Sequence, residues 1–391
     1  MTNMDDGGYG GITWDTTVPG GQTMGFIRPA GRGGGVDASR PERGREVTQA
    51  NLVSDGFVRA AHTDGHLINP WGVSFAPGGP FWISDNGSGV ATIHDGTGRT
   101  LPLGGHAAIT IAAARGSHDP ATPTGQVFNS TGSGFGITAG GKSAASVFLF
   151  ATEDGTISGW NPRVDAGRSV LAVDGSGHGA VYKGLAMAQV NGRPRLYAAD
   201  FRNSRVDIFD SRFAHVGSFT DPSLPKGYAP FNVQALGGRV FVTFALQDAD
   251  RKDDVAGAGH GYVDEFDTSG HMVRRIASGG PLNSPWGLDI APAGFGSVGG
   301  DLLVGNFGDG TIDAFDLGTD HFIGRLLGTD GRPLVIGDLW ALTNGNGGNG
   351  GDPGKVYFTA GVQDEAHGLF GSLSPLGRPP PMPGHGMSPY A

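Results

Sequence analysis

The stretches NPWGVSF (69–75) and SPWGLDI (284–290) share the tripeptide PWG at the start of an apolar segment. The same kind of segment returns four more times, as TPTGQVF (122–128), VYKGLAM (181–187), APFNVQA (229–235) and DLWALTN (338–344). The third residues of the six segments are separated by 53, 59, 48, 55 and 54 positions. Periods near 50 residues, built from short strands and turns, are typical of β-propeller blades. The spacing therefore predicts six blades.

Each repeat continues with a second apolar strand and then a third strand that often alternates in polarity. The second strands are PFWISD, SVFLFATED, RLYAAD, RVFVTFA, DLLVGN and KVYFTA. The third strands are VATIHD, TISGWN, RVDIFD, YVDEFD and TIDAFD. Corners rich in Gly, Asn and Asp separate them, and such corners suit antiparallel hairpins. The pattern predicts an all-β protein, a six-bladed β-propeller of four-stranded antiparallel blades.

The last repeat is one strand short, because the chain runs from GLFGSLS (368–374) into a Pro-rich tail. A strand-like segment, TQANLVSD (48–55), precedes the first repeat and has no partner of its own. Placed as the outer strand of the last blade, it closes the ring and removes an open sheet edge. We therefore predict a propeller over residues 46–376, between a flexible Gly-rich arm (1–45) and a disordered Pro/Gly-rich tail (377–391).

Composition limits the classes of partner. The chain has 391 residues, a net charge of −10 and no cysteine. No basic field is present to attract phosphates, so nucleic-acid binding is not expected. There is no apolar run of about 20 residues, so membrane insertion is not expected either. No signal peptide is visible, and the sequence predicts a soluble monomer, either cytoplasmic or secreted and processed.

Several long motifs resemble a known family. They are NPWG (69–72), FATEDGTISGWNP (150–162), LYAADFRNSRVDIFD (196–210), GDLLVGNFGDGTIDAFD (300–316) and QDEAHGLFG (363–371). Over about residues 48–375 the chain resembles a family of uncharacterised bacterial and fungal six-bladed propeller proteins. It is more distantly similar to NHL-repeat and gluconolactonase-like propellers. The distant resemblance implies either a calcium-dependent lactonase or phosphotriesterase, or a binding scaffold.

Polar residues stand where the second strands end, on the face that normally bears a propeller's site. They are Asp85 with Asn86, Glu153 with Asp154, Asp200, and Asn306. The fourth motif position is small in five repeats, and Asn232 is the exception. Carboxylate and amide oxygens are calcium ligands, and the set resembles the Glu/Asn/Asn/Asp cluster of the lactonase-like propellers. The alternatives are ordinary turn formation by Asp and Asn, and capping of local backbone groups by Asn232.

Other residues could bind or react with a ligand on the same face. The third motif positions hold Trp71, Phe231, Trp286 and Trp340, which form either a substrate-binding collar or packing between blades. His62, His66 and His367, the last beside Asp364 and Glu365, are candidates for acid/base chemistry or for a transition-metal site, or are exposed loop residues. The acidic loop at 247–261 could be a lid, a calcium loop or a solvated loop.

These residues favour one function and leave two open. The first is a calcium- or other divalent-metal-dependent hydrolase of lactone- or ester-like substrates, with Asp85, Glu153, Asp200, Asn232 and Asn306 as ligands. The second is a noncatalytic scaffold that binds a small molecule, glycan or protein at the loop-rich face. The third is a redox protein with a His-ligated transition metal.

Overall fold

The computed structural model describes residues 44–377. Six four-stranded antiparallel blades follow one another along the chain and are numbered 1 to 6 in that order, which confirms the predicted propeller. The described residues contain no α-helix, only the short 3₁₀ turns Ser176–His178 and Gly296–Val298. No helix in this part of the chain has the length and apolar character needed to cross a membrane.

The strands are given blade by blade, from the innermost strand outward. Blade 1 contains Pro70–Ser74, Phe81–Asp85, Val90–His94 and Ile109–Thr110. Blade 2 contains Pro123–Phe128, Phe148–Thr152, Thr156–Trp160 and Val170–Asp174, with an added hairpin, Gly136–Ala139 and Lys142–Ala145. Blade 3 contains Tyr182–Val190, Arg193–Asp200, Arg205–Asp210 and His215–Phe219. Blade 4 contains Tyr228–Leu236, Arg239–Leu246, Tyr262–Phe266 and Met272–Ser278. Blade 5 contains Pro285–Ile290, Leu302–Asn306, Ile312–Phe315 and Phe322–Arg325. Blade 6 contains Leu339–Asn344, Val356–Ala360 and Leu369–Pro375.

The fourth strand of blade 6 comes from the other end of the propeller sequence, as predicted. Val47–Ser54 pairs antiparallel with Leu369–Pro375, and the two-residue strand His62–Thr63 adds to its outer edge. Val53 is fully buried in this position and belongs to one apolar cluster with Leu67 and Phe370. The pairing joins the first and last parts of the ring by backbone hydrogen bonds. The predicted arm falls outside the described residues up to 43, and the predicted tail does so from 378 onward.

Apolar side chains fill the spaces between adjacent blades. Between blades 1 and 2, for example, Trp82 stacks on Phe148 with ring centroids 4.3 Å apart, and Trp160 lies beside them. The blades are therefore buried on both faces, and second strands such as Phe81–Asp85 and Phe148–Thr152 are buried along their whole length. The sheet edges near the axis are so close that a Cβ on Gly184 would lie 2.2 Å from Asn232 Oδ1. This crowding explains the small residues at the fourth motif position.

Candidate active site at the channel mouth

The innermost strands of all blades begin on the face where the second strands end. Pro70 pairs with Asp85 in blade 1, and Tyr182 pairs with Asp200 in blade 3. The loops that enter the inner strands and the turns between second and third strands therefore share one face. We refer to the axial part of this face as the channel mouth. Antiparallel pairing alone dictates this arrangement.

Six aromatic side chains close the channel below the mouth. This aromatic plug consists of Trp71, Phe201, Phe231, Trp286, Phe307 and Trp340. Trp71 and Trp340 stack with centroids 3.5 Å apart, and Trp286 meets Trp340 edge-on at 5.6 Å. Trp71, Phe231, Trp286 and Trp340, the predicted collar, are only 0–3% exposed. In this structure they pack against one another, and a ligand at the mouth would contact the groups that cover them.

A chain of polar side chains lies at the mouth and crosses five of the six blades. This polar network consists of Glu365, Asn69, Asn86, Glu153, Lys183 and Asp253. Asn69 Nδ2 donates to Glu365 Oε1 at 3.1 Å and approaches Asn86 Oδ1 at 3.5 Å. Asn86 Nδ2 donates to Glu153 Oε2 at 3.1 Å. Lys183 Nζ donates to Glu153 Oε1 at 2.5 Å and to Asp253 Oδ1 at 3.2 Å. Blade 5 contributes aromatic rings to the plug instead.

Lys183 is the buried cation of the polar network. Its side chain is 1% exposed, and its ammonium lies 4.9 Å from the ring centre of Trp71. Burial acts to lower the pKa of Lys183, but the Glu153 and Asp253 carboxylates outweigh burial and raise it. Burial acts to raise the pKa of Glu153, and the Lys183 charge outweighs it and lowers that pKa. The two groups therefore remain an ion pair.

Glu365 stands on an unusual turn in blade 6. Three consecutive residues without glycine, Gln363, Asp364 and Glu365, have φ values of 64°, 54° and 63°, in the left-handed region. Such residues cost about 1–2 kcal/mol each, and this kind of strain concentrates at functional sites. Burial raises the pKa of Glu365 to about 7, against the lowering effect of the Asn69 hydrogen bond. Its carboxyl thus exchanges a proton near neutral pH.

The orientation of Glu365 is set by a short relay. The indole N–H of Trp340 donates to Asn69 Oδ1 at 3.0 Å. An indole nitrogen can only donate, so the Asn69 oxygen faces Trp340 and the Asn69 nitrogen faces Glu365. Asn69 itself has a φ of 47°. Trp340 and Asn69 are therefore positioning residues for the Glu365 carboxyl.

The structure does not bring the five predicted calcium ligands together as one donor set. Glu153 alone belongs to the polar network. Asp85 accepts a hydrogen bond from the Thr92 backbone, Asp200 from the Val181 backbone and Asn306 from the Asn283 backbone. These three support turns in their own blades, which is the turn-forming alternative. Within the described part of the chain, no three His, Asp or Glu side chains are placed to hold a metal ion.

Asn232 points into the axis but is engaged by the backbone. Its Nδ2 donates to the Trp286 carbonyl at 2.7 Å, and its Oδ1 accepts from the Val233 amide at 2.8 Å. It lines a cavity of about 20 Å³ below the aromatic plug, together with Gln126 and Leu185. Such a cavity has room for roughly one water. Asn232 therefore caps one local amide, that of Val233, and also connects blade 4 to the inner strand of blade 5.

The resident metal expected from the lactonase resemblance does not fit this arrangement. Both oxygens of Glu153 already have donors, Asn86 Nδ2 and Lys183 Nζ. An ammonium thus stands beside the carboxylate that a cation would need. We derive no chemical step through a metal, and calcium binding at the predicted residues stays an untested prediction.

The three predicted histidines do not converge on the mouth. His66 Nδ1 lies 3.1 Å from Asp64 Oδ1, and His62 is exposed at the outer edge of blade 6. His367 Nδ1 contacts Asp55 Oδ2 at 2.6 Å, with its ring stacked on Phe57. Only the backbone of His367 approaches the network, where its carbonyl accepts from the Asn69 amide. Catalysis by these histidines stays a prediction without a shared geometry.

The sequence does not predict four of the network residues as site residues, although one signal points to Lys183; they are Asn69, Asn86, Lys183 and Glu365. Lys183 is the charged exception among the third motif residues, where the other repeats have Trp, Phe or Thr. Asn86 and Glu365 stand out in the sequence only as neighbours of Asp85 and His367. Asn69 precedes the first motif proline and looks like an ordinary turn residue. The acidic loop at 247–261 contributes Asp253: Gln247 pairs with Asp254, so the loop folds back on itself, and Asp253 contacts Lys183.

Comparison with known proteins identifies the relatives of the chain. No protein-family model matches it. It is 36% identical over 332 residues to the uncharacterised protein R648 of Acanthamoeba polyphaga mimivirus, covering 82% of this chain and 78% of that protein. It is 35% identical over 359 residues to protein L690 of the same virus, covering 89% of each chain. The bacterial and fungal origin expected for the family is not supported by these viral relatives.

Solved propellers are similar at a lower level. Virginiamycin B lyase from Staphylococcus aureus has a TM-score of 0.47 and 13% identity, over 84% of this chain and 99% of the lyase. A gluconolactonase-like protein has a TM-score of 0.40 and 14% identity, over 59% of this chain and 84% of that protein. Structural similarity at these TM-scores and identities gives no information about activity. Sequence identity over most of the chain does show its family: the chain belongs to the protein family that includes the mimivirus proteins R648 and L690.

Proposed function

We propose that the channel mouth is the active site of a hydrolase for a small lactone- or ester-like substrate, with Glu365 as the general base. One observation carries the proposal. A partly buried carboxyl with a pKa of about 7 is held by Asn69 at a strained turn, directly at the channel mouth. A base whose pKa lies near the working pH transfers protons most effectively.

The reaction needs only this chain's residues and water. Glu365 takes a proton from a water molecule, and the water oxygen forms a bond to the acyl carbon. The bond from that carbon to the ester oxygen then breaks, and the proton on Glu365 passes to the departing oxygen. The products are an acid and an alcohol, joined in one molecule if the substrate is a lactone. Trp340 and Asn69 keep the carboxyl oriented throughout.

The test is a substrate screen on the purified full chain, using lactones and aryl esters. We expect turnover that survives a chelator, and kcat/KM that rises with pH and levels off above about pH 7, because the base must be ionised. Glu365→Gln should lower kcat by at least about 100-fold. Asp364→Asn is the matched control, since it removes a neighbouring carboxyl on the same turn and should leave kcat unchanged.

Two results would overturn the assignment of the base. One is full activity in Glu365→Gln, and the other is an equal loss in Asp364→Asn. Turnover that disappears with chelator and returns with calcium would instead support the divalent-metal hydrolase expected from the sequence. The scaffold and redox alternatives stay untested predictions.

A further inference from the structure

The two carboxylates that contact Lys183 differ in their surroundings. Glu153 is 8% exposed and is also held by Asn86. Asp253 contacts Lys183 at 3.2 Å, but its side chain is 61% exposed. Glu153 is therefore a buried and fixed partner of Lys183, whereas Asp253 reaches the same ammonium from the solvent side. A carboxylate from solution could take the place of Asp253 without disturbing Glu153.

The loop that carries Asp253 is held at its base and exposed at its tip. Gln247 Nε2 donates to the Phe201 carbonyl at 2.6 Å, and the Asp248 amide donates to the Asp253 carbonyl at 2.8 Å. Residues 249–253 are exposed. Within the loop, Asp253 is bonded through its backbone, since its amide donates to Asp248 Oδ1. Its side chain can thus leave Lys183 while the loop keeps its shape.

Two buried aromatic rings lie beside the Lys183 ammonium, and Asp253 approaches it from the solvent side. Its ammonium has Trp71 at 4.9 Å and Phe201 at 5.9 Å from the ring centres. A carboxylate that replaces Asp253 keeps the balance of two negative groups around one positive group. It would also belong to the same polar network as Glu365, because Asn69, Asn86 and Glu153 connect Lys183 to that carboxyl by successive side-chain contacts. The bound group and the proposed base therefore belong to one site.

We propose that Lys183 is the anchor for a free carboxylate on the substrate, and that Asp253 occupies this position as an internal competitor when no ligand is bound. The substrate class is then a lactone or ester that also carries a carboxylate. This inference builds on the proposed function, because it names the substrate of the same site. It is nevertheless tested by binding alone, without turnover.

The experiment compares benzoate with benzamide, a neutral molecule of nearly the same shape, by calorimetric titration of the full chain. We expect benzoate to bind and benzamide not to bind. Asp253→Asn should tighten benzoate binding by about tenfold, because it removes a charged competitor. Asp250→Asn is the matched control, since it removes one charge from the exposed tip of the same loop, and it should change the benzoate Kd little.

A double variant, Lys183→Met with Glu153→Gln, removes the anchor without leaving a buried charge unpaired, and it should abolish benzoate binding. The proposal is overturned if benzoate and benzamide bind equally, if Asp253→Asn leaves the Kd unchanged, or if the double variant still binds benzoate. Glu365→Gln should retain benzoate binding. Loss of turnover in that variant therefore tests the base, and a change in benzoate Kd tests the anchor.

Discussion

Lys183 Nζ lies 2.5 Å from Glu153 Oε1, and the two side chains come from the adjacent blades 3 and 2. Both side chains are at least 92% buried, so neither charge can be solvated if the other is removed. The pair joins two blades above the aromatic plug. Breaking a buried pair costs more than forming it contributes, because one charge is left uncompensated.

Removal of Lys183 alone is therefore expected to be costly. Lys183→Met should lower the free energy of unfolding by about 3–5 kcal/mol, since it leaves Glu153 buried without its cation. Urea unfolding of Lys183→Met, of Glu153→Gln and of the double variant measures the coupling energy between the two side chains. We expect the double variant to be more stable than Lys183→Met. Additive losses would show that the two side chains act independently.

The pKa of Glu365 predicts a pH effect on stability. Its value of about 7 in the folded protein lies above the ordinary 4.5, so between these values the folded carboxyl keeps a proton that the unfolded chain has lost. Raising the pH therefore favours unfolding. Between about pH 5 and pH 8, the wild type should lose roughly 2–3 kcal/mol more than Glu365→Gln.

Denaturant unfolding at both pH values measures this difference. Asp364→Asn serves as the comparison on the same turn and should follow the wild type. Other buried carboxyls are common to all three proteins, so their contributions cancel. Parallel pH curves for the wild type and Glu365→Gln would contradict the elevated pKa.

Ring closure by Val47–Ser54 can be tested with one substitution at a buried and one at an exposed position of that strand. Val53 is fully buried, whereas Gln49 on the same strand is exposed. Val53→Asp should destabilise the protein by more than about 3 kcal/mol, because it buries an unpaired charge. Gln49→Asp should cost little. Similar midpoints in urea for the two variants would show that this strand is not part of the closed ring.

The crowding at the axis predicts an effect of a single methyl group. A Cβ on Gly184 would lie 2.2 Å from Asn232 Oδ1, whereas one on Gly217, in the outer strand of the same blade, would meet nothing within 4 Å. Gly184→Ala should therefore cost about 1–3 kcal/mol. Gly217→Ala should be neutral or slightly stabilising. Thermal unfolding of both variants decides this, and an unchanged midpoint for Gly184→Ala would contradict the close packing.

The blade count and the ring closure could be predicted from the sequence because their causes are local and repeated. The third residues of the six motif segments are 48–59 positions apart, and the last repeat lacks its fourth strand. Both features are visible in a single sequence. Placement on the mouth face was predictable as well, since antiparallel hairpins set which turns share an end. Glu153 was found in this way. The same reasoning selected Asp85, Asp200 and Asn306, because a turn residue and a site residue look alike in sequence.

The polar network itself was decided only by the tertiary structure. Asn69 and Glu365 are 296 positions apart, and Lys183 and Asp253 are 70 apart. Their contacts depend on how six blades converge on one axis, and no local pattern encodes that distance. The sequence by itself determined a six-bladed ring closed by its N-terminal strand. The packing of the ring decided that an ammonium lies between two carboxylates at the mouth, because the three side chains come from blades 2, 3 and 4 and meet only once those blades pack side by side.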